Sequence, residues 1–149
     1  LNYLNTMAVQ TQFFTLNTGQ KMPMVGLGTY RVHGQSVIYR VIEAALRAGY
    51  RSFDTAAVYR NEEAIGLAFK SLLPKYNLKR EDIFLTTKLD PSEHGKGKTT
   101  KAVHESLEKL GTSYLDLYLI HWPGCKIACD KSSKCCVTCG NMAGIGFFT

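Results

Sequence analysis

The first 124 residues of this 149-residue chain contain no cysteine; all five stand at 125, 129, 135, 136 and 139. No disulfide can therefore hold the larger part together, and that part reads as a reduced, cytoplasmic enzyme. No apolar run approaches the roughly 20 residues that a membrane-spanning helix needs. A charged start followed by an apolar core, the mark of a secretory leader, is also missing from the residues given. Charge of one sign is not concentrated. The net charge of +6 is spread along the chain, with short clusters at Lys75 to Arg80, Lys96 to Lys101 and Lys126 to Lys134, so solvated surface is expected rather than contact with nucleic acid or membrane.

Two nucleotide-binding signatures are absent although each is imitated. Gly26-Leu-Gly28 follows a strand, but the third glycine of a dinucleotide fingerprint would fall at Arg31, and the loop does not run straight into a helix. Gly95-Lys-Gly-Lys-Thr-Thr100 resembles a phosphate loop, but Ser92 stands where that loop needs its first glycine. It reads instead as a mobile basic loop leading to a helix capped by Thr99 or Thr100. His33, His94 and His104 have no partners at metal spacing and are expected on the surface, and no metal is expected there. The tail from Gly124 to Thr149 has enough thiols for zinc. Its pattern, Cys125-x3-Cys129-x5-Cys135-Cys136-x2-Cys139, lacks the repeated C-x2-C spacing and no histidine follows. An unstructured tail is the first expectation and a metal site the second.

What is present is an alternation of short apolar strands with amphipathic helices. Phe14 to Met24 reads as a hairpin turning at Asn17-Thr18-Gly19, with Pro23 suited to an edge. A strand over Val25 to Leu27 precedes a helix from Ser36 to Ala48. Val37, Ile38, Val41, Ile42, Ala45 and Leu46 form the stripe of that helix, Ser36 its cap and Gly49 its end. Arg51 to Phe53 is a strand, and Asn61 can cap a helix running to Leu73. Glu62 and Glu63 suit the positive end of that helix, and Pro74 stops it. Ile83 to Lys88 and Leu115 to His121 are strands apolar on both faces, as parallel strands are. A helix between them starts near Thr99 and ends at Gly111. Such alternation predicts an α/β fold with a parallel sheet. Asp116, inside the last strand, has no evident role.

Ionisable groups recur at the carboxyl ends of these strands: Asp54 after Phe53, Tyr59 in the following loop, Lys88 and His121. In a parallel (β/α) barrel that end is the catalytic face. With the words Gly26-Leu-Gly-Thr-Tyr30, Gly49-Tyr-Arg-Ser-Phe-Asp-Thr-Ala56, Asn61-Glu-Glu-Ala-Ile-Gly66 and Asp116-Leu-Tyr-Leu-Ile-His-Trp-Pro123, the chain resembles the N-terminal half of the aldo-keto reductases, from about Phe14 to Pro123. The resemblance implies a (β/α)8 TIM barrel, here only the first four βα units behind an N-terminal hairpin that plugs the barrel bottom. It implies NADP-dependent reduction of aldehydes or ketones, with Asp54, Tyr59, Lys88 and His121 catalytic. Gly28, Thr29, Tyr30 and Asp54 would line the nicotinamide end of NADP, and Tyr59, His121 and Trp122 the carbonyl substrate. The family implies a monomer.

The chemistry needs these groups. Carbonyl reduction puts hydride on carbon and a proton on oxygen. A phenol is a weak acid for that purpose, Lys88 beside Tyr59 would favour the phenolate, and Asp54 would hold Lys88. His121 could hydrogen-bond the substrate oxygen or share the proton. Leu89-Asp90-Pro91 replaces the aromatic wall that many relatives carry after the lysine, which leaves substrate choice open.

The implied organisation is an extension over 1–13, a partial barrel over 14–123 and a divergent tail over 124–149. Met7 would be the native start, with Leu1 to Thr6 upstream of it. A full barrel takes roughly 250 residues, so the chain alone is expected to lack the main cofactor grip and appreciable reductase activity. The alternative to a reductase is an inactive fragment or isoform that acts by binding a partner. With open sheet edges at Val25 to Leu27 and Leu115 to Ile120, and inward Phe53, Leu85 and Leu117 facing water, the isolated chain is expected to self-associate. Size-exclusion chromatography with denaturant unfolding under reducing conditions tests this, and a sharply cooperative monomer would contradict it.

Overall fold

The computed structural model describes residues 12–122. The N-terminal residues 1–11 and the tail, with its five cysteines, lie outside the described residues. An antiparallel hairpin comes first: β1 (Phe13–Thr15) pairs with β2 (Lys21–Pro23). Gly19 turns it at φ +85°, in the left-handed region that glycine enters without steric cost. Four strands follow, β3 (Leu27–Gly28), β4 (Ser52–Asp54), β5 (Phe84–Leu89) and β6 (Leu117–Ile120). They form one parallel sheet in the sequential order β3-β4-β5-β6. The helices α1 (Gln35–Arg47), α2 (Glu62–Lys75) and α3 (Lys98–Leu110) connect them.

Sequential order with right-handed crossovers puts all three helices on one face, and the core lies there. Ile38, Ile42, Ala45 and Leu46 of α1, Ile65, Ala68, Phe69, Leu72 and Leu73 of α2, and Leu110 of α3 close over Phe53, Ile83 and Leu85. Phe53 meets Phe69 edge-on, with ring centroids 5.0 Å apart. Phe53 and Leu85, expected to face inward and meet water, are therefore each only 1% exposed beneath the helices. Strand side chains alternate between faces, so the opposite face takes Ser52 and Asp54 from β4 and Phe84, Thr86 and Lys88 from β5. On the last strand Leu117 is half-buried and Leu119 exposed.

The first strand starts two residues later than expected, because Val25 is 62% exposed and only Leu27 and Gly28 pair with β4. Two expected hydroxyl caps are also not used. Gly34 and Gly97 occupy the N-cap positions of α1 and α3, at φ +83° each and without side-chain cap bonds. Thr99 instead donates its hydroxyl to Glu93 O and Gly95 O, 3.2 Å each. Pro74 lies inside the last turn of α2, which runs one residue further to Lys75. Gly49 and Gly111 end their helices as expected, with φ of +88° and +65°. His33 and His104 are exposed, but both ring nitrogens of His94 are buried and have no partner among the described residues.

Asp116 acquires a role. It precedes β6 at the amino end of the sheet, where its Oδ2 accepts from Arg80 Nη2 at 2.7 Å and from Leu85 N at 2.9 Å. Its Oδ1 accepts from Gln20 Nε2 of the hairpin at 3.3 Å. Arg80 also donates to Ile83 O, Tyr114 O and Thr112 Oγ1, and its guanidinium lies 4.2 Å from the Tyr114 ring centroid. The hairpin is thus tied to the amino end of the sheet, away from Asp54 and Lys88.

Gly66, in the middle of α2, sets how closely α3 approaches. A Cβ there would sit 2.6 Å from Lys109 O and 2.7 Å from Leu110 O. Helix propensity alone would make Gly66→Ala stabilising by about 1 kcal/mol. Backbone carbonyls cannot yield as a side chain can, and overpacking costs about 1–3 kcal/mol. Gly66→Ala is therefore expected to lower stability by up to about 2 kcal/mol net of propensity, measured as a lower urea midpoint at unchanged slope. A midpoint equal to or above that of the parent would contradict the close approach.

Candidate active site

The carboxyl ends of β3, β4, β5 and β6 carry Gly28, Asp54, Lys88 and, one residue beyond the strand, His121. Register brings the first three together. Gly28 pairs with Asp54, and Asp54 with Thr86. Lys88 is two residues beyond Thr86 and so on the same face. Its Nζ donates to Asp54 Oδ1 at 2.5 Å and to Thr55 O at 2.9 Å. The Lys88 side chain is 14% exposed and that of Asp54 40%, so the cation is held at a partly open mouth. A charge that far out of water requires a partner, and here it has a carboxylate and a carbonyl.

Tyr59 ends a short 3-10 turn, Ala57–Tyr59, which is closed by left-handed Arg60 at φ +55°. That turn swings the phenol back over the strand ends. Lys88 Nζ lies 5.2 Å from the Tyr59 ring centroid. His121 meets Tyr59 edge-on, with centroids 5.4 Å apart at 81°. Tyr30 also packs on Tyr59, with centroids 5.1 Å apart, and Arg31 lies 5.2 Å over Tyr30. Trp122 stacks on His121 at 5.9 Å and 13°, and is itself 62% exposed. Asp54, Tyr59, Lys88 and His121 thus form one cluster, flanked by Tyr30 and Trp122.

The loops that carry these groups are fixed from behind. Thr29, 1% exposed, donates both its N–H and its hydroxyl to Asp54 O, 3.0 Å each. Asn61 occupies the N-cap position of α2 but makes no side-chain cap bond. Its carboxamide turns inward to Thr29, Val32 and Thr55. Glu62, expected to serve the helix dipole, is 2% exposed and accepts from Thr87 Oγ1 at 2.6 Å. Sequence reasoning missed both residues, because Asn and Glu at a helix start read as ordinary capping residues. The one available signal was that they lie two and three residues after Tyr59.

The chemistry open to the cluster is proton transfer beside a fixed cation. His121 has its pKa lowered, first by burial and then by the Lys88 charge, so its imidazole is held neutral. Its Nδ1 is buried without a partner among the described residues. No group of metal-ligating side chains occurs among the described residues, and no described helix is long and apolar enough to cross a membrane.

The sequence profile described as "Aldo/keto reductase family" matches residues 24–141, which runs past Pro123, where the resemblance was read to end. Aldose reductase C of Dictyostelium discoideum is 43% identical over 122 residues, 82% of this chain and 38% of that protein. Glyoxal reductase of Bacillus subtilis is 43% identical over 109 residues, 73% of this chain and 38% of that protein. Among solved structures, a Bombyx mori aldo-keto reductase in complex with NADP superposes with a TM-score of 0.72 at 41% identity, covering 78% of this chain and 39% of that one. The four parallel strands, three helices and hairpin are therefore of the TIM (β/α)8-barrel type. The chain spans under two-fifths of the length of these relatives.

The His121 shift has a measurable consequence. A histidine whose folded pKa lies below its unfolded value binds fewer protons folded than unfolded. Its contribution to stability is complete above the unfolded value, near ~6.5, and is lost as pH falls below that value toward the folded one. NMR titration of the His121 ring should give a midpoint below 6.5. Lys88→Met should raise it part of the way, since burial, the larger cause, remains. A midpoint unchanged by Lys88→Met would remove the charge contribution.

Proposed function

We propose that this chain, which belongs to the aldo/keto reductase family, supplies the proton-transfer machinery of an NADP-dependent reductase that converts aldehydes or ketones to alcohols. The observation that carries this reading is the Lys88 ammonium, bonded to Asp54 and 5.2 Å from the Tyr59 ring, with His121 against the same ring. The reading concerns a complete reductase that carries residues 24–141, the part that the family profile matches.

Whether the residues suit a nicotinamide can be tested at Gly28. A Cβ there would meet nothing within 4 Å, so its backbone is open toward the face that bears Asp54. Gly28, Thr29, Tyr30 and Asp54 would hold the nicotinamide end of NADPH, which when bound supplies hydride to the carbonyl carbon. Glycine lets a flat ring come close, and the Thr29 bonds to Asp54 O keep that floor rigid.

The chain's own residues then serve the oxygen. Tyr59 donates its phenolic proton to the carbonyl oxygen as negative charge develops there. The Lys88 ammonium stabilises the phenolate left behind, and Asp54 keeps that ammonium charged and aimed. Neutral His121 hydrogen-bonds the same oxygen and orients the carbonyl, with Tyr59 and Trp122 walling the substrate. The source of specificity is orientation and electrostatics around hydride chemistry that belongs to the cofactor. Exposed Trp122 and Tyr30 at the mouth suit a small-molecule carbonyl.

NADPH oxidation with a panel of aldehydes is the direct test. In the intact reductase, Tyr59→Phe should lower kcat by at least about 100-fold, the usual scale of a lost general acid, while NADPH binding followed by fluorescence is largely spared. Retention of most activity by Tyr59→Phe would remove the role assigned to Tyr59. Full turnover by the 149 residues alone, lost on the same substitution, would show that they need nothing further to grip the cofactor.

A further inference from the structure

Asn61 is the residue on which both anchors of Lys88 converge. It is 2% exposed. Its Nδ2 donates to Thr29 O at 3.0 Å and Val32 O at 3.1 Å, with Thr29 Oγ1 at 3.3 Å. Both carbonyls can only accept, which fixes the orientation of the carboxamide. Its Oδ1 then faces Thr55 and accepts from Thr55 Oγ1 at 2.7 Å.

Each contact leads one step further to the ammonium. Thr55, held on one side by Asn61, is held on the other by its N–H on Thr86 O at 2.9 Å, and its own carbonyl accepts from Lys88 Nζ. Thr29, held by Asn61, donates twice to Asp54 O, and Asp54 Oδ1 is the other acceptor of Lys88. The two acceptors of Lys88 thus belong to adjacent residues, and one buried carboxamide restrains both. An N-cap asparagine ordinarily bonds its own helix, for about 1 kcal/mol. Asn61 forgoes that bond and points away from α2.

We propose that Asn61 is a positioning residue, which acts through Thr55 and Thr29 to fix the carbonyl and the carboxylate that hold the Lys88 ammonium beside Tyr59. The proposal rests on the reading of Tyr59 and Lys88 as the proton-transfer pair, and its test separates the two. The full chain is treated with acetic anhydride, and acetylation of each lysine is followed by peptide mass spectrometry, with exposed Lys75 as internal reference. In the parent, Lys88 reacts slowly. In Asn61→Ala and Thr55→Val its rate relative to Lys75 rises about five- to tenfold, as expected when hydrogen bonds behind a charged group are lost. Thr55→Ser, which keeps the hydroxyl, returns it to the parent rate.

The second measurement is the pH profile of carbonyl reduction by the intact reductase. Both variants should displace the pH profile and lower kcat more than they raise the KM for NADPH, and Thr55→Ser should restore both. A parent-like Lys88 rate in folded Asn61→Ala and Thr55→Val overturns the proposal. Unfolding of both variants also overturns it, because Asn61 would then hold the fold and not the ammonium. A parent without carbonyl reduction refutes the functional reading alone, since the acetylation rates still decide the role of Asn61.

Discussion

The arrangement at the strand ends depends on one ammonium group. Lys88 brings a full positive charge to a side chain that is 14% exposed, and a charge removed that far from water is costly unless it is paired and hydrogen-bonded. The chain meets that cost with Asp54 and with the carbonyl of Thr55, and both must be present together. Removing the carboxylate would leave the cation to one neutral dipole. Removing the cation would leave Asp54 facing a neutral imidazole and a phenol. Tyr59 and His121 are thus placed beside a charge whose position is already decided by other bonds, which suits catalysis by preorganised electrostatics.

Strand register makes the pairing possible. Asp54 lies opposite Thr86, and Lys88 reaches back from two residues further along the same face. A slip of one residue between β4 and β5 would send Lys88 to the helix side and bring Thr87 inward. The core opposes that slip. Phe53 and Leu85 pair directly and both lie under the helices, each 1% exposed, so any slip would expose one of them. Burial on the helix side therefore fixes the placement of Asp54 and Lys88 on the other side.

Much of this was legible in the sequence, for identifiable reasons. Helix stripes repeat every three to four residues, and glycines such as Gly49 and Gly111 end helices by a local rule, so α1, α2 and α3 were readable to within two residues. The order Asp54, Tyr59, Lys88, His121 at strand ends was readable because it is a linear pattern, and the four do converge. What failed was direction. A parallel strand is apolar on both faces, so nothing local tells which of Phe53 or Ser52, Leu85 or Phe84, points to the helices. The same limit hid Asn61 and Glu62, whose residue types suit a solvent-facing cap as well as an inward hydrogen bond. Asp116 was opaque because its partners, Arg80 and Gln20, lie 36 and 96 residues away in sequence.

The two ends of the sheet use the same device for different purposes. At the amino end the Asp116 carboxylate gathers an arginine, a backbone amide and a hairpin glutamine. Arg80 uses four of its five N–H donors on Asp116, two carbonyls and a hydroxyl. At the carboxyl end the Asp54 carboxylate makes one ion pair and stays 40% exposed, while neutral groups, Thr29, Thr55 and Asn61, do the fastening behind it. All three guanidinium nitrogens are bonded within the fold, so the amino end is built for rigidity. Lys88 is held by two bonds with a phenol ring 5.2 Å away, and an ammonium carries three N–H donors. One donor remains beyond those two bonds, beside the phenol ring. The difference between the ends is therefore one of exposure and fastening: the Asp116 side chain is 9% exposed and bonded from three sides, whereas the Asp54 side chain stays 40% exposed and is fastened from behind by neutral groups.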